Sequence, residues 1–158
     1  MKVISLVSLV LLFSCTREKT PGLTGNFLSL NGRTKTVKSW SFRDQSTGEN
    51  YDLLDNSEID KIYITFLDDR LLIVHEEIEN GDSYFGWRTW DWDADIPRDR
   101  VVLHPDQLTH YEITRVDENR LGFSGMHELH LQPQQIDIQM ITAHDIPQKV
   151  LHLIQQYK

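Results

Sequence analysis

The sequence predicts an all-β domain: an antiparallel meander of about eight strands that closes into a barrel, followed by a short C-terminal α-helix. Hydrophobic residues recur at every second position through most of the chain after residue 25, as is typical of half-buried strands. Turn signals separate these segments at short intervals, and short links join only antiparallel neighbours. Closure is expected because it removes the two edge strands that an open meander would expose.

Composition and charge fit one globular domain. The chain has 158 residues, of which 39% are hydrophobic and 25% charged, and its formal net charge is -8. That charge would repel the phosphate backbone of a nucleic acid, so we do not expect a nucleic-acid partner. The single cysteine cannot form an internal disulfide, and the fold must therefore rest on a packed hydrophobic core.

Residues 1–14 have the pattern of a signal peptide. Lys2 gives a positive start, and the apolar run that follows is too short to span a bilayer. The segment Leu12-Phe13-Ser14-Cys15 resembles the bacterial lipobox, which implies a lipid on Cys15 as the first residue of the mature protein. We therefore expect a protein of the bacterial cell envelope that is anchored to a membrane. The alternative is a non-lipidated signal peptide that contains a cysteine.

Two further regions complete the domain organisation. Residues 15–24 comprise the lipidated cysteine and a polar tether, and residues 25–158 form the barrel domain with its helix. Asn31-Gly32 and Asn80-Gly81 predict two type I′ hairpins. The expected strands are residues 26–30, 35–42, 61–66, 71–78, 83–92, 108–116, 121 onward and 136–142.

Two connections and one helix remain. Residues 43–59 and 93–107 are long and polar, and we expect either loops at the barrel mouth or plain surface loops. At the C-terminus, Asp145 is expected to cap the amide of Gln148, with Pro147 in the first helical turn. The residues expected to face the sheet lie near helical spacing: Ile146, Val150, Ile154 and Tyr157.

The opening segment Leu23-Thr24-Gly25-Asn26-Phe27, followed by an eight-stranded meander and a terminal helix, resembles the lipocalin-like lipoproteins of bacterial envelopes. Members of this family usually carry Gly-x-Trp in the first strand, and Phe27 stands here at the Trp position. The resemblance implies a lipocalin-like barrel. A barrel with this number of strands has an interior that side chains fill or that holds one small ligand.

Large aromatic residues are concentrated in residues 84–92. With a period of two, Tyr84, Trp90 and Trp92 share one face of the strand, while Phe85 and Trp87 share the other. One set belongs to the core, and the other either stacks against a ligand or is covered by a loop or the helix. The tryptophans that we expect to contact a ligand are Trp40, Trp87 and Trp90.

Other motifs do not indicate catalysis. Asp91, Asp93 and Asp95 supply oxygen atoms at alternate positions and are candidate calcium ligands, although the EF-hand glycine and glutamate are missing. The other reading is a strand end that runs into an acidic loop. His127 and His130 are spaced three apart, which does not match a zinc helix. No triad or cofactor motif emerges, so we expect neither an enzyme nor a cofactor.

The expected function is non-catalytic binding of a small apolar or amphipathic ligand by a membrane-anchored barrel. The alternative is an interaction module, in which a filled barrel is only a scaffold and the long loops or the acidic face dock an envelope protein.

Overall fold

A computed structural model describes residues 22–44, 47–55, 58–127 and 130–158 of the chain. The expected signal peptide, Cys15 and most of the tether lie outside the described residues. The described part contains two helices, α1 (Leu23–Leu28) and α2 (Gln148–Tyr157). Its strands are β1 (Thr34–Asp44), β2 (Asn50–Asp52), β3 (Ile59–Phe66), β4 (Arg70–Glu79), β5 (Asp82–Asp95), β6 (Arg100–His104), β7 (Thr109–Asp117), β8 (Arg120–His127) and β9 (His130–Thr142).

The strands form a closed antiparallel barrel, which confirms the predicted fold class. Each strand from β3 to β8 pairs with its successor, and β1 pairs with both β3 and β9. This closure leaves eight strands in the barrel, and the short β2 is an additional strand that pairs with the end of β1. The pairing of β1 with β9 extends over most of both strands.

The alternation in the sequence decides which side chains fill the barrel. In β3, Ile62, Ile64 and Phe66 point into the main hydrophobic core, whereas Tyr63 belongs to a second cluster on the outer surface. The next strand is apolar on both faces: Ile73 faces the interior and Val74 lies under α2. A strand that is covered on both faces shows a continuous hydrophobic run instead of an alternation.

The first described element is a helix where a strand was expected. Residues 26–30 do not form the predicted strand: α1 ends at Leu28, and the Asn31-Gly32 turn joins it to β1. Phe27 and Leu30 are both about 2% exposed, and with Leu23 they follow helical spacing and pack into the core at one end of the barrel. The expected first hairpin is therefore wrong, whereas Asn80 and Gly81 do adopt the positive φ angles of the second one.

Helix α1 covers the barrel floor, the end at which β1 begins. The ring of Phe27 makes edge contacts with Phe66 at 5.6 Å and with Trp92 at 5.2 Å between centroids. These contacts join the helix to β3 and β5 from inside the barrel. The side chain at position 27 therefore closes the floor although it is smaller than a tryptophan.

A distant carboxylate caps α1. Asp99, in the turn between β5 and β6, accepts the N–H groups of Leu23 at 2.9 Å and of Thr24 at 2.7 Å. Gly22 allows this approach, because a Cβ atom there would lie 2.6 Å from the carboxylate oxygens. The N–H of Thr24, and then that of Leu23, hold the pKa of Asp99 below its ordinary value of 3.8.

We expect Asp99→Asn to lower the melting temperature by about 2–5 °C at pH 7, because an amide oxygen replaces a carboxylate that accepts two helix N–H groups. Asn also tolerates the positive φ of 51° at this position. Folding lowers the pKa of Asp99, so the ionised carboxylate stabilises the folded protein. This contribution is complete above about pH 5 and is lost as the pH falls through the folded-state pKa. The melting temperatures of the wild-type protein and the variant, measured by circular dichroism, should therefore converge as the pH falls below this pKa. A difference in melting temperature that stays constant down to pH 2 would contradict the cap.

The predicted loop 93–107 is a hairpin and a strand instead. β5 continues to Asp95, a tight turn follows, and β6 forms the next barrel strand with Val101 and Leu103 completely buried. The expectation of a long polar loop was therefore wrong. The apolar run of β6 is short and lies between Pro97 and Pro105, and its middle residue, Val102, faces outward and is only partly buried, so the run gives a weak strand signal.

The connection 43–59 does reach the open end of the barrel. It includes β2, after which the N–H of Leu53 donates to the carbonyl oxygen of Trp40 at 2.9 Å. Leu53 and Leu54 pack against the edge of the core. This segment therefore covers part of the mouth, one of the two roles expected for it.

The C-terminal helix is confirmed, although its start differs from the expectation. Pro147 occupies the N-cap position and makes no side-chain cap, and α2 begins at Gln148. Asp145 has a positive φ of 53° and does not cap the helix. Val150, Leu153 and Ile154 are buried against the outer face of β3 and β4, so the helix covers hydrophobic surface that the barrel exposes there.

Candidate functional site

Aromatic side chains concentrate inside the barrel toward the open end. Trp40 from β1 and Trp90 from β5 meet there with ring centroids 5.8 Å apart at 89°. Trp90 also contacts Phe123 at 5.7 Å and Tyr111 at 5.9 Å. Trp40 and Trp90 are each about 5% exposed or less. This aromatic cluster therefore fills the centre of the barrel and closes the cavity at the open end from below.

A pocket of about 280 Å³ lies above this aromatic cluster. Its described lining residues come from the four strands β1, β5, β7 and β9 and from the segment after β2: Trp40, Phe42, Leu53, Arg88, Trp90, Tyr111 and Ile136. Their strand positions explain the convergence, since Phe42 follows Trp40 by two residues and Arg88 precedes Trp90 by two. The pocket is therefore apolar at its base, with a guanidinium group on its wall.

This pocket has a positive charge at its exposed rim and a buried hydroxyl group deeper inside. Arg88 is exposed, and it is the charged side chain among the described lining residues. Burial raises the pKa of the Tyr111 hydroxyl above its ordinary value, Asp106 adds to the rise, and Arg88 opposes it. The phenol therefore stays neutral at physiological pH, and the pocket presents a hydrogen-bonding hydroxyl and one cation at its rim.

The structure brings together two of the three predicted tryptophans. Trp40 and Trp90 line the pocket, whereas Trp87 lies on the outer face and is 47% exposed. The indole N–H of Trp87 donates to the Tyr157 hydroxyl of α2 at 3.1 Å. Sequence reasoning missed Arg88 and Phe42, although the period of two places both on the inward face with the tryptophans.

The three candidate calcium ligands are strand residues with other contacts. Asp93 lies 3.1 Å from the His104 ring nitrogen Nε2, and Asp95 accepts the N–H of Arg98 at 3.3 Å. Asp91 pairs across strands with His104. In the described residues, no group of three or more His, Cys, Asp or Glu side chains is arranged to hold a metal ion.

Two further observations concern relatives and membranes. No protein-family model matches the chain, and no curated protein matches its sequence. Within the described ranges, neither helix is long and apolar enough to cross a bilayer.

Proposed function

We propose that this protein is a lipid-anchored lipoprotein of the bacterial cell envelope that binds a small amphipathic molecule with an acidic head group, without catalysing a reaction. The observation that supports this most strongly is the pocket with an aromatic base and Arg88 at its rim. Apolar surface supplies affinity in such pockets, and a few placed polar groups supply orientation. The lipocalin-like resemblance of the sequence points to the same class of function.

The volume of the pocket limits the size of the ligand that it can bind. About 280 Å³ corresponds to roughly nine water molecules at liquid density. That suits a chain of about ten non-hydrogen atoms, or one end of a longer molecule whose remainder extends out of the mouth. The apolar part would contact Trp40 and Trp90, while the Arg88 guanidinium would pair with a carboxylate or phosphate.

The proposed anchor and the pocket would lie at opposite ends of the barrel. The described chain starts at Gly22, whose neighbour Leu23 is bonded to Asp99 at the floor. A tether from Cys15 would therefore attach at the floor, at the end of the barrel opposite the pocket. Cys15→Ser should move the protein from the membrane fraction to the soluble fraction, and unchanged partitioning would contradict the anchor.

Binding should be tested with octanoate and with octan-1-ol as its neutral match, following tryptophan fluorescence of the full-length chain. We expect Arg88→Gln to raise the Kd for octanoate about tenfold, because a charged hydrogen bond is lost, and to leave the Kd for octan-1-ol unchanged. Arg115→Gln is the matched control, since this arginine is 56% exposed and paired with Asp117 outside the barrel. No saturable octanoate binding, or equal effects of both variants, would contradict the proposal.

One observation favours the interaction module as a second candidate. Two large hydrophobic side chains on the outer face of the β4–β5 hairpin are about half exposed: Ile78 and Trp87. Exposed aromatic residues are common at protein interfaces. If this hairpin docks an envelope protein, Trp87→Ser should abolish that complex in a membrane cross-linking experiment and leave octanoate binding intact.

A further inference from the structure

Two adjacent grooves lie along β9 on the outer surface of the barrel. Ile138 and Met140 point into the core, so the alternation turns Asp137 and Gln139 outward. The first groove has a volume of about 320 Å³ and contains Asp137, and the second has a volume of about 390 Å³ and lies closer to the floor. Gln139 lines both grooves, so one ligand can occupy them together.

The first groove, here called the polar groove, is lined mainly by hydrogen-bonding side chains. Besides Phe42, which also lines the pocket at the mouth, its lining residues are Ser41, Arg43, Asn50, Gln135, Asp137 and Gln139. In the part of the chain that the structure describes, these polar side chains form no hydrogen bond or ion pair with other residues. Their carboxamide, guanidinium, carboxylate and hydroxyl groups therefore offer both donors and acceptors to a ligand.

Asp137 is the residue of the polar groove that most lacks a partner. Its Oδ1 atom is shielded from solvent and accepts no hydrogen bond from a described residue, although buried polar atoms in proteins are nearly always satisfied. Its register partners are Gly122 in β8 and Ser41 in β1, so only small residues flank the carboxylate. A ligand hydroxyl group that enters this space can donate a hydrogen bond to Asp137.

The second groove, here called the basic groove, is positively charged although the whole chain has a net charge of -8. Three of its lining residues are Lys38, Arg115 and Arg120, and its acidic residue, Asp117, pairs with Arg115 at 3.5 Å. Within the described ranges, Lys38 and Arg120 form no ion pair. Arg120 is the register partner of Gln139 on β8, and Lys38 adjoins its partner on β1. With strands about 4.8 Å apart, the two cations flank Gln139 across about 10 Å, within the reach of their side chains.

We propose that these grooves bind an anionic hexose, with the sugar ring in the polar groove and its phosphate or carboxylate group between Lys38 and Arg120. The hydroxyl groups of a sugar both donate and accept hydrogen bonds, which matches the mixed lining around Asp137. Asp137 and Gln139 are two residues apart on one face, about 7 Å along the strand, so a ring at the first places its charged substituent near the second. The guanidinium of Arg120 can form two parallel hydrogen bonds with such a group.

The test is isothermal titration calorimetry of the full-length chain with glucose 6-phosphate and with glucuronate. Glucose is the neutral match, and inorganic phosphate is the anion without a ring. We expect glucose 6-phosphate to bind at one site with a Kd at least tenfold lower than that of glucose or of phosphate alone. No binding of either anionic sugar, or equal affinity for inorganic phosphate and glucose 6-phosphate, would overturn the proposal.

Variants separate the two halves of the site. Arg120→Gln should raise the Kd for glucose 6-phosphate about tenfold, because a charged hydrogen bond is lost, and should leave the Kd for glucose unchanged. Asp137→Asn and Gln135→Ala should weaken both sugars, and unchanged melting temperatures would show that these proteins fold. Arg98→Gln is the matched control, since this arginine is 78% exposed in the turn after β5. If Arg120→Gln and Arg98→Gln bind glucose 6-phosphate equally well, the basic groove does not hold the anionic group.

Discussion

Phe27→Ala should lower the free energy of unfolding by about 3–5 kcal/mol, the range for a buried phenylalanine replaced by alanine. Phe27 is about 2% exposed, and its ring contacts Phe66 and Trp92 at the barrel floor. The substitution removes these contacts and leaves a cavity between α1 and the inner face of the strands. Equilibrium denaturation in urea, followed by tryptophan fluorescence, measures the loss.

Phe85→Ala is the matched control for this prediction. Phe85 lies on the outer face beneath α2, is only partly buried, and has the Lys149 ammonium 5.8 Å above its ring. Because it loses less buried area, we expect a decrease of about 1–2 kcal/mol. A loss at position 27 no larger than the loss at position 85 would show that α1 does not close the floor.

Gly125→Ala should lower the free energy of unfolding by about 3 kcal/mol or more. A Cβ atom at this position in β8 would lie 1.9 Å from the carbonyl oxygen of His110 and 3.0 Å from the Cα atom of Tyr111. Backbone atoms cannot rotate away as a side chain does, so β7 and β8 would have to separate locally. Tyr111 lines the pocket, and we therefore also expect octanoate binding to weaken.

Gly122→Ala, in the same strand, separates this clash from the general cost of changing a glycine. Its added Cβ would meet the Arg115 side chain at 3.3 Å, a contact that a small shift relieves. We expect a change below about 1 kcal/mol in either direction. Equal losses for the two variants in urea denaturation would contradict the close approach of the strands at Gly125.

The local sequence pattern was sufficient for most of the barrel and failed at its start. Alternation identified the inward residues of β3 and β9, whose partners are neighbouring strands. Asn31-Gly32 is a strong hairpin signal and therefore predicts a strand at residues 26–30. The helix of this segment depends on a cap from Asp99, which lies far away in the sequence. A six-residue helix needs such tertiary support, and no local pattern reveals it.

The predicted and the observed barrel both have eight strands, but the two sets of strands differ. The predicted meander counted residues 26–30 as a strand and omitted β6, so the two errors cancelled and eight barrel strands remained. β6 has a short apolar run, Val101-Val102-Leu103, between two prolines. Such short runs are ambiguous because pairing with neighbours on both sides, not their own propensity, holds them in the sheet.

The candidate site could be predicted only in part. Period two placed Trp90 on one face and Trp87 on the other, which the burial of these side chains confirms. The meeting of Trp40 with Trp90 depends on closure, because β1 and β5 are not neighbours in the sheet. The inward direction of Arg88 follows from the same alternation, but its place at the open end of the barrel requires the full register.

Closure between β1 and β9 underlies the interior, the floor and the pocket, and a disulfide across that seam tests it most directly. Ser41 and Asp137 are register partners there, and opposed residues of antiparallel strands have Cα atoms about 4.5–5.5 Å apart, within disulfide reach. In a Cys15→Ser background, the Ser41→Cys, Asp137→Cys protein should form this bond under mild oxidation, as shown by mass spectrometry of its peptides. Ser41→Cys with Glu112→Cys, three strands apart, should not; equal yields in the two proteins would contradict the closed barrel.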